Sequence, residues 1–225
     1  MDILRRDNLP LGGFAGLKEH RLVMDPKAWG KRTAPDTWPG IGNFVYLADA
    51  RFLPKGETTM HDHKEVDVIS VMVEGRIAHE GTLEHGNDLF GRDVQVQRAG
   101  GEGFSHNEVN PDDTENRMIQ LWVLPEASGQ PAGYKHYGSE WGKVTRVYGG
   151  ASDQDATFAS HTLIDVALLK PGQRATADGP YLTYVTHGAG RVENKAITDG
   201  DLVRGSGLAF EASKDTQLII VHLMQ

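Results

Sequence analysis

Two pairs of residues stand out for the chemistry they could do. His61 and His63, in "TMHDHKEVD", are one residue apart, and His106 and Glu108, in "GFSHNEVN", repeat that spacing downstream. On a strand, residues two apart project to the same face, so each pair would present its donor atoms side by side. The chain has no cysteine, so any metal must be held by His, Asp or Glu. Four ligands from two strands that meet inside a small barrel could converge on one ion. Three imidazoles and a carboxylate suit Fe(II), Mn, Ni, Co, Cu or Zn and leave one or two positions open, the arrangement of a catalytic centre. Spacing does not choose among these metals. His-x-His alone also arises on ordinary surface strands; the second pair, with glycines and turn residues ahead of each, makes the motif a candidate site.

The neighbouring polar residues sort as follows. Asp67 and Glu65 follow His63 by four and two, so a regular strand would put both on the histidine face, where either could orient an imidazole. For Glu65 a solvated role is expected. His79, in "RIAHEG", is expected to be half-buried and structural, with a supporting hydrogen bond to the site as the alternative. His85 reads as solvated. His20, His136, His161, His187 and His222 have no partner at ligand spacing, and Glu74 and Glu102 read as turn or surface residues.

The elements that must carry these residues are strands. Short β-rich runs such as "GNFVYLADARFLP", "VDVISVMVEG", "DVQVQRAGG", "NRMIQLWVLP" and "QLIIVHLM" are punctuated by Gly, Pro and Asp, and the chain of 225 residues holds 27 glycines. That pattern predicts an all-β sandwich or barrel. A weak internal repeat predicts two domains of one kind. "LPKGETTMHDH" followed by "VISVMVEGRIAHEG" is answered by "LKPGQRATADG" followed by "YLTYVTHGAGRVEN", which sets Ala177 and Gly179 where His61 and His63 stand. The second half should therefore be a copy without ligands. The expected organisation is an N-terminal domain over 1–128, a Pro/Gly/Ser-rich linker over 129–145 and a C-terminal domain over 146–225. A net charge of −8 argues against binding nucleic acid directly. No apolar run reaches the ~18 residues of a membrane span, and "MDILRRDNLP" lacks the apolar core of a signal peptide. A cytoplasmic protein with no membrane contact is expected.

At these residues the sequence resembles the pirin family of the cupin superfamily. Gly56, His61, His63 and Asp67 fit the first cupin motif, with Asp in place of the usual Glu, and His106 and Asn110 fit the second. "HDHKEVDVISVMVEGRIAH" and "RDVQVQRAGGEGFSHNE" match the pirin forms of both motifs, the first without gaps from its first His to the Gly of "EG". The similarity covers about residues 40 to 130, with the second half alike only in outline. Two departures stand out. Val66-Asp67 replaces an aromatic-Glu pair, and Val96 replaces a tryptophan; both are expected in the cavity walls.

The resemblance implies an all-β bicupin of two antiparallel β-barrel or jelly-roll domains, the first holding the metal. By matching position His61, His63, His106 and Glu108 would be the ligands, and the cofactor one divalent transition metal, Fe(II) in the first place, with Mn, Ni, Co, Cu or Zn as alternatives. Several bacterial pirins are similar to quercetin 2,3-dioxygenases. In that chemistry a carboxylate takes the proton of a flavonol 3-hydroxyl, dioxygen adds across the activated ring and carbon monoxide leaves. Glu108 is the candidate base, since a ligand carboxylate sits within reach of that hydroxyl. The partners implied are a small aromatic substrate and O2. The rival reading is a metal-dependent regulator that acts through a protein partner.

Overall fold

The computed structural model describes residues 1–225, and strands account for nearly all of its regular structure. In chain order these are β1 (Asp2–Arg5), β2 (Gly12–Phe14), β3 (Leu17–Met24), β4 (Phe44–Phe52), β5 (His61–His63), β6 (Asp67–Glu74), β7 (Arg76–Gly81), β8 (Asn87–Phe90), β9 (Asp93–Arg98), β10 (Phe104–Val109), β11 (Arg117–Val123) and β12 (Gly133–Gly138). There follow β13 (Lys143–Gly150), β14 (Ser160–Leu169), β15 (Arg174–His187), β16 (Ala189–Val192), β17 (Lys195–Thr198), β18 (Asp201–Ala212) and β19 (Thr216–Leu223). The only α-helix, α1 (Pro26–Trp29), is a single turn capped by Asp25. No helix is long and apolar enough to cross a membrane.

Two compact units divide the chain. One comprises Leu9–Pro39 and Val45–Gly138, the other Met1–Asn8, Gly40–Phe44 and Ser139–Gln225. The first is made of two antiparallel sheets. A larger one has the order β12-β9-β6-β11-β4-β3-β2, and a smaller one the order β5-β10-β7-β8. Both are open layers, so the jelly-roll form of the expected fold is the one realised and no barrel closes. The layers face each other because each turns an apolar side inward. Leu17, Phe52, Met72 and Met118 of the larger sheet pack in one cluster with Ile77 and Leu89 of the smaller. Burying each such side chain contributes roughly 1.5–3 kcal/mol. The inward face is not wholly apolar: Ser70, His79, Gln95 and Gln97 are fully buried there, and buried polar groups of this kind need partners.

The second unit is built on an 8-stranded sheet of order β13-β14-β19-β15-β18-β16-β17, with β1 added along β18. Val185, Val203, Phe210, Leu218 and Ile220 lie in its core cluster. The Ala177–Gly179 stretch, set on the histidine strand by the repeat, lies within the 14-residue β15. The ladder is irregular there, and Gly179 has φ +64°. His222 is not isolated: its Nε2 lies 2.9 Å from Asp165 Oδ2, and Arg146 Nε donates to Asp165 Oδ1.

Candidate metal centre

Strands β5 and β10 are antiparallel neighbours, and their register sets His61 directly opposite His106 and His63 opposite Phe104. Directly opposed side chains on one face of such a pair meet. The ring centroids are 4.5 Å apart for His61–His106, 4.9 Å for His61–His63 and 5.0 Å for His63–His106. One ligand atom from each imidazole can be chosen so that all three lie within 4.8 Å of one another. The loop ahead of β5 holds this in place. Thr58 N donates to Glu108 O, and Thr58 Oγ1 accepts from Glu108 N. Asn110 N donates to Gly56 O, and the Asn110 amide donates to the carbonyls of Leu53 and Thr114. Gly56 is required by packing: a Cβ there would stand 2.2 Å from Gly16 O. Asn110, the last residue of the second motif, thus fastens the two motifs together.

Local backbone conformation decides how far β5 runs. Thr59 and Glu65 both sit in the left-handed region, at φ 64° and 53°. For a β-branched residue such as Thr59 that is a strained position, of order 1–3 kcal/mol. The Thr59 carbonyl accepts from His61 Nδ1 at 2.9 Å, which leaves His61 Nε2 as the atom with a free lone pair.

The donor set fits a divalent transition metal. His106 Nε2 and His61 Nε2 are 3.0 Å apart. Two nitrogens each about 2.1 Å from one cation and at right angles to each other stand about 3.0 Å apart. Burial, and then the neighbouring imidazoles, push His63 down to about 4 and His106 down to about 2. Both rings are therefore neutral near pH 7, the form that ligates. His106 Nδ1 is buried with no hydrogen-bond partner, so this ring lacks the outer contact that Thr59 gives His61.

Glu108 lies on β10 two residues beyond His106, is 2 % exposed, and stands outside the compact three-imidazole group. Its Oε1 accepts from Ser70 Oγ at 2.8 Å and from Gln95 Nε2 at 3.0 Å. Burial raises its pKa to about 7, against the opposing effect of these two hydrogen bonds. Both donors are on the facing sheet, so the carboxylate is fixed through one oxygen. The three histidines and Glu108 line one cavity of about 60 Å³, together with Tyr46, Phe52, Met118 and Trp122. Its lining, apolar and aromatic with a few convergent polar groups, has the composition of a small-molecule site.

Residues 41–123 match the family model described as Pirin. A pirin-like protein of Caulobacter vibrioides is 28% identical over 77% of this chain and 80% of its own length. A quercetin 2,3-dioxygenase of Escherichia coli K12 is 30% identical, over 31% of this chain and 30% of its own length. The crystal structure of the bacterial pirin YhhW from Escherichia coli, in complex with nickel(II), superposes with a TM-score of 0.82 at 16% identity, covering 99% of this chain and 98% of that one. Over residues 41–123 this chain is similar to the pirin family.

In this chain the departures from the family motif fall away from the cavity. Val66, Asp67 and Val96 are not among its lining residues, contrary to the sequence-based expectation. Gln95 and Gln97 turn inward to Glu108 and His79, so Val96 between them faces the other way. Asp67 does not orient an imidazole: the left-handed turn at Glu65 ends β5, and Asp67 opens β6, where it is buried beside Arg98 at 3.6 Å. Glu65 accepts from Gly129 N at 2.9 Å. His79 is fully buried rather than half-buried. Its Nδ1 is 3.2 Å from Glu84 O, its Nε2 3.0 Å from Gln97 Nε2, and its ring centroid 5.7 Å from that of His106. His85 is exposed, as expected. Ser70, Gln95 and Gln97 were not anticipated. Their signal was faint but present, as polar residues at inward positions of strands otherwise rich in Val and Ile.

Proposed function

We propose that this protein is a pirin-like metal-dependent dioxygenase acting on flavonols such as quercetin, with His61, His63, His106 and Glu108 holding one divalent metal, Fe(II) in the first place. The observation that carries the reading is the convergence of three imidazoles and a buried carboxylate on one aromatic-walled cavity. The relatives named as quercetin dioxygenase and the nickel-bound pirin structure agree with it.

When bound, the metal supplies Lewis acidity toward a ligand oxygen and a template for O2. The chain's own residues do the rest. Glu108, with Oε1 tied to Ser70 and Gln95, offers its second oxygen to the flavonol 3-hydroxyl proton. Trp122, Tyr46 and Phe52 give the ligand an apolar wall and keep water from the reacting ring. The lining of the cavity, three imidazoles and a carboxylate set among aromatic rings, favours a small aromatic substrate over a purely regulatory role. The C-terminal unit is assigned as the copy without metal.

The test is oxygen uptake and carbon monoxide release by metal-loaded protein supplied with a flavonol. Glu108→Ala should lower the rate ~100-fold or more; undiminished turnover in that variant would refute the base assignment, and no uptake in the wild type would refute the activity.

A further inference from the structure

The cavity has a second polar end. Glu19 on β3 lines it with the histidines, yet is only 4 % exposed. Its Oε1 accepts from Arg21 Nε at 2.6 Å and its Oε2 from the Tyr46 hydroxyl at 3.2 Å. A carboxylate offers about four acceptor sites, so these two donors leave capacity unused. Glu19 also borders an adjoining hollow that Gly12, Gly13, Arg21 and Thr37 help to line, which makes it the partition between the two. Burial, and then Glu19, hold the Tyr46 pKa well above its usual range, so Tyr46 remains a phenol that donates to Glu19.

The two ends are joined by rings. The His63 and Trp122 centroids are 5.6 Å apart, and those of Trp122 and Tyr46 are 4.8 Å apart. Tyr46 therefore lies no more than about 10 Å from the His63 ring, within the span of a two- or three-ring aromatic. Trp122 is backed by Trp29, stacked at 5.5 Å and 10° between planes, so this wall is rigid. Between the ends, Gln120 Nε2 and Trp122 Nε1 are buried donors without partners, on residues that line the cavity.

We propose that Glu19, braced by Arg21 and Tyr46, is the distal anchor of the cleft and selects aromatic ligands that carry a hydroxyl remote from the oxygen meeting the histidines. The ligand's hydroxyl donates to the Glu19 carboxylate, while Gln120 and Trp122 are placed to donate to a carbonyl in its middle. A polyhydroxylated aromatic ketone meets all three demands; an anionic group at the distal end is repelled. This rests on the reading of the histidine site given above, since that reading supplies the proximal oxygen.

The test is a pair of fluorescence titrations on metal-loaded protein, with 3-hydroxyflavone, which has no distal hydroxyl, and with quercetin, which has several. Wild type should bind quercetin at least ~10-fold more tightly, because a site built for a hydroxyl rejects the analogue that lacks it. In Glu19→Gln the neutral acceptor forms a weaker hydrogen bond, and the ratio should fall about 5–10-fold. Tyr46→Phe should lower it less. A wild-type ratio near one overturns the proposal without any variant, as does an unchanged ratio in Glu19→Gln. Oxygen uptake in the same samples separates the two readings. A Glu19-dependent preference without uptake supports the anchor and overturns the dioxygenase; uptake without the preference does the reverse. No binding of either ligand overturns both.

Discussion

Loading the three-histidine group with metal should raise the thermal midpoint of the unit that holds it. The magnitude follows from the geometry. In the fold the three rings are already assembled with centroids 4.5–5.0 Å apart, whereas His106 is 45 residues from His61 along the chain and far from it once unfolded. The ion therefore binds the folded state with strong preference, and stabilises it by about 2.7 kcal/mol when free metal is 100 times its Kd. A unit of this size moves by roughly 3–5 °C per kcal/mol, so the expected rise is about 8–14 °C. Scanning calorimetry of chelator-treated and reloaded protein measures it. His63→Ala should abolish the response, and His222→Ala, in the other unit, should leave it intact. One bound equivalent of metal with an unmoved midpoint would refute the reasoning, and so would a His63→Ala protein that responds like the wild type.

Two further outcomes are expected. Gly56→Ala drives a Cβ to 2.2 Å from Gly16 O, so the loop ahead of β5 must shift; urea unfolding should show a loss of about 1–3 kcal/mol, and competition titration should show metal binding weakened ~10-fold or more. In the C-terminal unit, burial would raise the Asp165 pKa, but hydrogen bonds from His222 and Arg146 outweigh it and hold the group below its ordinary value. A depressed carboxyl pKa contributes stability above the unfolded value, and that stability is lost as pH falls through the folded one. Asp165→Asn should therefore cost about 1–3 kcal/mol at pH 7, with the variant and wild-type curves converging in strong acid. A gap that stays constant with pH would contradict this.

Much of the architecture was legible because it lies in local pattern. "VDVISVMVEG" is a run of β-formers, and it becomes β6, buried on both faces from Asp67 to Met72. The two spaced pairs declared themselves by residue type, and the register of β5 on β10 brings their histidines together. What local pattern could not give was where a strand stops. Treating 61–67 as one regular strand put Asp67 on the histidine face, but the left-handed turn at Glu65 breaks the alternation. Partners distant in sequence were equally hidden. Ser70 and Gln95 meet Glu108 only because the two sheets face each other, and Glu19 meets Tyr46 across 27 positions of chain.

The brevity of β5 also bears on how such a site is built. Its two histidines are aimed by left-handed residues on either side, Thr59 and Glu65, and by a glycine contact behind them, not by a long sheet. The corresponding stretch of the second half runs inside a 14-residue strand, with its own irregularity at Gly179. Placing histidines at 177 and 179 would supply the residue types without the backbone that aims them in β5. On the reading of the second half as a copy without ligands, the two stretches differ in chain path as well as in residue type, so building a site of this kind there needs several changes at once.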